Sequence, residues 1–221
     1  MERRLIQTAD GSATLQLPDW QEQYHSLHGA LQESRYVYLQ QGLQAFENRS
    51  ISLLEIGFGT GLNALLTYFE AIKIGLKIQY TGLERYPLIQ KEWEALNYGS
   101  LLSELEAQKV FHALHQARWD ELVVLAPHFS LRKCNLDFRK FHEVRRYDLI
   151  YYDAFGARVQ PELWTESLFQ NMFAALNPGG CLVTYAAKGS VRRAMQLAGF
   201  RVQRLKGPPG KREMLRAWRD A

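Results

Sequence analysis

The stretch Leu53-Leu54-Glu55-Ile56-Gly57-Phe58-Gly59-Thr60-Gly61-Leu62-Asn63 leaves this chain few ways to fold. An apolar run, Ile51 to Ile56, stops at three glycines in alternate positions, and a helix-compatible segment from Leu62 to Ile74 follows. A buried parallel strand turning sharply into a helix accounts for that order, because glycine tolerates both the turn and a ligand lying against the backbone. The spacing is Gly-x-Gly-x-Gly, so the third glycine comes one residue too early for a dinucleotide fingerprint. Glu55, just ahead of the glycines, suits a cationic ligand better than a pyrophosphate. S-adenosylmethionine carries an ammonium and a sulfonium, and the loop favours it; a glycine-rich turn without a ligand is the plainer alternative.

A second carboxylate fits the same ligand. Ile78-Gln79-Tyr80-Thr81-Gly82-Leu83-Glu84 is predicted to be the next strand, and Glu84 at its tip lies 23 residues beyond Gly61. An acid there can accept hydrogen bonds from both ribose hydroxyls of an adenosine. A surface pair between Glu84 and Arg85 competes with that role.

The rest of the chain supports one parallel sheet. After Glu84, Pro87 is placed to open a helix with an apolar face from Leu88 to Leu96, and Leu101 to Leu125 is predicted to hold one or two more helices. Strands are predicted at Phe129–Asp137, Tyr147–Asp153, Cys181–Ala186, from Gly199 and at Met214–Trp218, with helices at Thr165–Leu176 and Gly189–Ala198. That alternation predicts an α/β fold with a mostly parallel, seven-stranded sheet and helices on both faces. Gly57, Glu84, Asp137 and Asp153 all fall at carboxyl ends of strands, where such sheets hold their ligands. Asp137 there either binds an adenine amino group or is an ordinary loop acid. Before the sheet, residues 1–50 are predicted to form a hairpin at Asp10-Gly11 and a helix over Glu33–Ala45, a lid of the same unit as the core of residues 51–221.

Composition excludes several classes. At 221 residues with 47% hydrophobic and 23% charged side chains the chain can bury one substantial core. No apolar run reaches the ~20 residues that span a bilayer, and the first residues lack the apolar segment of a secretory signal. A cytoplasmic protein with no membrane association is expected. Cys134 and Cys181 are isolated, and His25 and His28 have no neighbouring Cys, Asp or Glu cluster, so no metal is expected. The net charge of +4 is uneven: residues 188–221 hold ten Lys or Arg against Glu213 and Asp220. Such a basic quarter is either a polyanion-binding face or a solvated surface.

The order of glycine turn, acidic second strand, acid after the third strand and Asp after the fourth resembles a class I S-adenosylmethionine-dependent methyltransferase with its Rossmann-like fold. More narrowly, the chain resembles the methyltransferase domain of the MnmC family. The segments that carry this are Asp10–Leu15, Tyr24–Ser26 with Gly29-Ala30, Glu33–Val37, Leu54–Asn63, Asp153–Phe155 with Pro161–Trp164, Thr184–Gly189 and Gly207–Glu213. Leu136 is bulkier than the residue usual before the third-strand acid, and Gly156-Ala157 replaces the more usual Ala-Pro. The resemblance implies methylation of the aminomethyl group of 5-aminomethyl(-2-thio)uridine at the tRNA wobble position. It implies a catalytic Asp153, cofactor contacts at Tyr24, Glu55, Gly57, Gly59, Gly61, Asn63, Glu84 and Asp137, and a tRNA partner bound at its anticodon region. It also implies functional coupling to the enzymes that install the aminomethyl group. With no residues after 221 to form the flavin-dependent domain of bifunctional members, a stand-alone methyltransferase without FAD is expected.

Methyl transfer from a sulfonium to an amine is an in-line displacement, helped mainly by positioning. Asp153 suits orientation of the amine and stabilisation of the developing ammonium; a carboxylate near ~3.9 is a weak base for an alkylammonium. Phe155, Trp164 and Tyr185 either stack on an everted uracil or pack as core aromatics. Lys188, Arg192 and Arg193 at the start of a helix after the fifth strand, and Lys206, Lys211 and Arg212 flanking Gly207–Gly210, are the candidates for substrate phosphates; Lys211 or Arg212 pairing with Glu213 is the local alternative. An aminopropyltransferase or small-amine methyltransferase on this fold, or an RNA-binding protein without catalysis, are the competing functions.

Overall fold

A computed structural model describes residues 2–47 and 49–220. Its chain begins with the hairpin β1 (Arg4–Gln7) and β2 (Ala13–Leu17), paired antiparallel around Asp10-Gly11, with β3 (Glu22–Gln23) added to β2. The Asp10 carboxylate accepts the Ser12 amide at 3.1 Å and the Thr8 hydroxyl at 2.8 Å, which fixes the turn from within. A short helix, α1 (Ala30–Ser34), continues as a π-type turn over Arg35–Gln40, so the predicted helix starts three residues earlier and ends earlier than its apolar spacing suggests.

The main sheet contains β4 (Ser50–Ile56), β5 (Lys77–Glu84), β6 (Leu122–Ala126), β7 (Phe129–Asn135), β8 (Tyr147–Tyr152), β9 (Leu176–Thr184), β10 (Arg201–Lys206) and β11 (Glu213–Trp218). Their order across the sheet is β10-β11-β9-β8-β4-β5-β7-β6. Neighbours from β9 to β7 pair in parallel, while β11 and β6 run the other way. Among the described residues the sheet therefore has eight strands where the sequence pattern predicts seven. The additional one, β6, lies in the stretch expected to be helical; a five-residue apolar run fits either period, and pairing with β7 decides it.

Helices α2 (Leu62–Lys73), α3 (Gln90–Glu94), α4 (Tyr98–Leu101), α5 (Ala107–Gln116), α6 (Glu166–Ala175) and α7 (Gly189–Leu197) complete the fold. Pro87 does not open α3, whose first helical residue is Gln90, three positions on. Alternate strand residues feed two cores. Leu53, Tyr80, Tyr151 and Val183 pack with α2, α5 and the N-terminal segment; Leu54, Ile56, Ile150 and Leu182 pack with α6 and α7. Both faces are thus covered, as the near-continuous apolar runs of β4 and β8 require. Successive crossovers leave β4 on one side toward β5 and β7 and on the other through β8 toward β9. A ligand crevice opens at such a reversal, beyond the carboxyl ends of β4 and β8.

Candidate active site

A cavity of about 860 Å³ lies at that crevice. Gly57 and Gly59 at the end of β4, Glu84 at the end of β5 and Asp153 just past β8 all line it. The Gly57 and Phe58 amides both donate to the Leu83 carbonyl, at 3.0 and 2.9 Å, which ties the glycine turn to the neighbouring strand tip. Gly57 has φ +91°, and a Cβ there would stand 2.7 Å from the Asp153 carbonyl oxygen. No other residue fits without moving the Asp153 backbone. Gly57→Ala is accordingly expected to cost about 1–3 kcal/mol in backbone strain. Calorimetry should then show a melting temperature lower by roughly 2–12 °C; an unchanged value would mean that the turn relaxes freely.

Two histidines hold the next part of the turn. The Thr60 hydroxyl bonds His25 Nε2 at 2.7 Å, and the Thr60 carbonyl accepts from His115 Nε2 at 3.0 Å. Burial pushes His25 down to about 4 and His115 down to about 3, so both rings are neutral at physiological pH. Beneath them the buried Lys133 ammonium donates to the His115 carbonyl at 2.6 Å and lies 4.7 Å from the Trp119 ring centre. His25, in the segment expected to form the lid, is 8% exposed and locked to the turn. Gly61 packs against His115 and does not line the cavity.

Glu84 accepts the Gly59 amide on Oε2 at 3.0 Å and the Tyr86 amide on Oε1 at 2.8 Å. Each oxygen keeps a lone pair for a ligand hydroxyl, which is the geometry that two ribose hydroxyls need. Burial raises its carboxyl, opposed by those two backbone bonds. The competing pair with Arg85 does not form, because Arg85 turns to Asp137 at 2.7 Å. Tyr24 lies over Gly59, with its ring 3.2 Å from where a Cβ would be, and Arg3 Nε donates to its hydroxyl at 3.0 Å.

Asp137 also reaches the cavity, but its carboxylate is occupied. Oδ1 accepts the Arg139 amide and Nε, and Oδ2 accepts Arg85 Nη1 and Arg139 Nη2, at 2.6–3.1 Å. The Arg139 bond, with help from Arg85, holds the acid down to about 2. In this arrangement no lone pair is left for an adenine amino group, which favours the alternative of an ordinary loop acid. Glu55 needs a similar correction. It is 1% exposed, does not line the cavity, and accepts Tyr80 Oη at 2.7 Å and Asn63 Nδ2 at 2.9 Å. Burial holds its carboxyl well above the carboxylate range, so it meets no cation and instead anchors Asn63.

Asn63 passes that order to the acid. Its Nδ2 donates to Asp153 Oδ2 at 2.8 Å, and the Tyr38 hydroxyl donates to Asp153 Oδ1 at 2.6 Å. Burial raises Asp153 from 3.8 to about 7; the bonds from Tyr38 and Asn63 and the Lys211 charge oppose the rise, and the Glu33 charge adds to it. The acid is therefore a far better proton acceptor than its free value implies. Neither Tyr38 nor Glu33 was expected here. Both lie in the segment preceding the first core strand, and Glu33 also opens one of the stretches that carry the family resemblance.

Phe155 and Tyr185 line the cavity, and Trp20 and Tyr24 meet Phe155 edge-on at 5.7 and 5.0 Å. Trp164 stands behind this wall, 5% exposed, its indole donating to the Phe155 carbonyl at 2.8 Å. It supports the wall without facing the cavity. Lys188, Lys211 and Arg212 are at the cavity, whereas Arg192 is half-buried in α7 and does not line it. Lys211 pairs not with Glu213 but with Glu33, at 2.5 Å, and caps the Tyr185 ring at 4.0 Å.

The residues present fit S-adenosylmethionine: an open pair of acceptors on Glu84, backbone left bare at Gly57 and Gly59, and an aromatic cover from Tyr24. A sequence model of a family described as S-adenosyl-L-methionine-dependent methyltransferases matches residues 107–220, just over half of the chain. The chain belongs to this methyltransferase family. The tRNA 5-methylaminomethyl-2-thiouridine biosynthesis bifunctional protein MnmC of Nitrosospira multiformis is 31% identical over 212 residues, covering 87% of this methyltransferase and 33% of the relative. The protein of the same name from Actinobacillus pleuropneumoniae is 30% identical over 213 residues, covering 87% and 31%. This methyltransferase thus spans about a third of the length of the curated relatives it matches. The crystal structure of MNMC2 from Aquifex aeolicus superposes with a TM-score of 0.81 at 25% identity, covering 98% of this chain and 70% of that one. The α/β class I methyltransferase fold is shared. No helix among the described residues is long and apolar enough to cross a membrane, and no three His, Cys, Asp or Glu side chains among them gather as a metal site would require.

Proposed function

We propose that this methyltransferase N-methylates the aminomethyl group of 5-aminomethyl(-2-thio)uridine at the wobble position of tRNA, giving 5-methylaminomethyl(-2-thio)uridine. One observation carries the chemistry: a buried carboxylate, Asp153, held by Tyr38 and Asn63 in the same cavity as the glycine turn and Glu84. The substrate comes from the names of the MnmC relatives.

S-adenosylmethionine supplies a methyl group activated by its sulfonium. Glu84 and the turn at Gly57 and Gly59 hold its nucleoside part. Asp153 accepts a hydrogen bond from the substrate amine, aims the lone pair, and stabilises the ammonium as it forms. With its carboxyl raised to about 7, Asp153 also takes up the released proton or passes it to water. Phe155 and Tyr185, backed by Trp164, receive the everted uracil. Lys188 and Arg212 meet phosphates at the rim. Residues 1–50 act as the lid on a core of residues 51–221, and the protein works with tRNA in the cytoplasm, after the enzymes that install the aminomethyl group.

The test uses methyl-labelled S-adenosylmethionine with bulk tRNA from a strain lacking the activity, set beside putrescine. Label in 5-methylaminomethyluridine after nucleoside digestion is the expected result. Label in putrescine alone, or spermidine formed from decarboxylated S-adenosylmethionine, would move the function to small amines. No transfer at all despite tRNA binding would leave an RNA-binding protein.

A further inference from the structure

A second groove, about 940 Å³, lies beside the active-site cavity. Gln32, Arg35 and Tyr36 form one wall, and Lys206 with Pro208 and Pro209 the other. Gly210 and Lys211 line both spaces, so a single short wall separates them. That wall is fixed. Lys211 is bound to Glu33 and capped on Tyr185, the Tyr36 hydroxyl donates to the Lys206 carbonyl at 3.1 Å, and a Cβ on Gly210 would collide with the His28 ring.

The groove has the properties of a single-strand track. Arg35 and Lys206 are exposed and make no ion pair among the described residues, and neither do Lys188 and Arg212 at the cavity rim. One acid, Asp10, also lines the groove; its carboxylate is turned to the Thr8 hydroxyl and the Ser12 and Gln32 amides, and Arg35 and Lys206 outnumber it. Tyr36 and the two prolines add apolar faces between the cations. Unpaired basic side chains alternating with flat apolar surface fit phosphates and unstacked bases. The neighbours of a nucleotide everted into the cavity lie at its rim, and the groove adjoins that rim at Gly210 and Lys211.

We propose that this groove holds the RNA strand adjoining the everted nucleotide, with Arg35 and Lys206 neutralising its phosphates and Tyr36 facing a flanking base. The proposal rests on the tRNA reading given above. It adds Arg35 and Tyr36, and a direction for the strand, to that reading.

The experiment is a salt titration of tRNA affinity for the wild type, the Arg35→Ala/Lys206→Ala pair, and Arg35→Lys/Lys206→Arg. Lys77→Ala/Arg145→Ala, at the opposite end of the sheet, removes the same charge as a control. The first pair should lower the slope of log affinity against log salt by roughly 1.4–1.8, at 0.7–0.9 per lost phosphate. It should also raise KM for tRNA and leave kcat and S-adenosylmethionine affinity unchanged. The charge-conserving pair should keep the wild-type slope, and the control should change little. A wild-type slope in the Arg35→Ala/Lys206→Ala protein overturns the groove while leaving the tRNA reading intact. An equal loss in the control means bulk charge and also overturns it. A wild type that neither binds nor methylates tRNA removes the tRNA reading and the groove with it.

Discussion

Asp153→Asn is expected to bind S-adenosylmethionine and to lose about 10²–10⁴ of its methyl-transfer rate, the usual cost of one positioned polar catalytic group. The amide keeps the shape and still accepts on one oxygen, but it cannot stabilise an ammonium by charge or take up its proton. The pH profile separates this from a packing effect. Asp153 titrates near 7 in the free enzyme, so kcat/KM of the wild type should rise with pH through that value. A further rise at higher pH belongs to the amine of the substrate. Asp153→Asn should lose the lower limb and keep the upper one.

The same titration acts on stability with a definite sign. The folded value, about 7, lies above the ordinary 3.8, so the folded protein holds this proton where the unfolded chain has released it. The contribution is fully present below the unfolded value and is lost as pH rises through about 7. Melting temperature of the wild type should therefore fall relative to Asp153→Asn between pH ~4 and ~7. Single-turnover transfer within a factor of three of wild type, together with an unchanged profile, would make Asp153 a structural residue.

Local pattern made the strands and the glycine turn legible. Ile51–Ile56 could only be a buried strand, and Gly57 has the positive φ that its position after that strand suggests. Glu84 and Asp153 were readable because strand tips carry function in this type of sheet. What escaped depends on contacts between distant segments. Tyr38 bonds Asp153 across 115 positions, and Lys211 bonds Glu33 across 178; no spacing rule encodes either. Glu55 and Asp137 were placed correctly along the chain but given the wrong neighbours. Glu55 points inward because alternate residues of β4 face opposite cores, and Asp137 is claimed by Arg139 from the turn after β7 and by Arg85 from the end of the neighbouring strand β5. Trp164 was expected at the cavity because its chain neighbours are there; its side chain packs instead with Tyr152 and Phe169 beneath it.

Glu84→Ala carries the other large expected effect, and it has two parts. Truncation removes the acceptor for two ligand hydroxyls, each charge-assisted bond being worth roughly 1.5–3 kcal/mol. It also strips the Gly59 and Tyr86 amides of the acceptors they have among the described residues. Both amides are only part-buried, so water replaces some of what is lost and each costs less than the about 1–3 kcal/mol of a fully buried group, but the turn that carries the cavity floor should still loosen. Loss of S-adenosylmethionine affinity should be at least tenfold, accompanied by a lower melting temperature. Glu84→Gln separates the two parts. Its carbonyl oxygen serves one amide while its amino group opposes the other, so the fold is largely kept and the affinity falls by an intermediate amount. Acidification should imitate these variants in the wild type: burial raises the Glu84 carboxyl, so it protonates, and affinity drops, above the pH of an ordinary glutamate. Calorimetric titration of the three proteins across pH is the measurement. Unchanged affinity in a folded Glu84→Ala protein would remove Glu84 from the binding site and leave its two backbone bonds as its whole role.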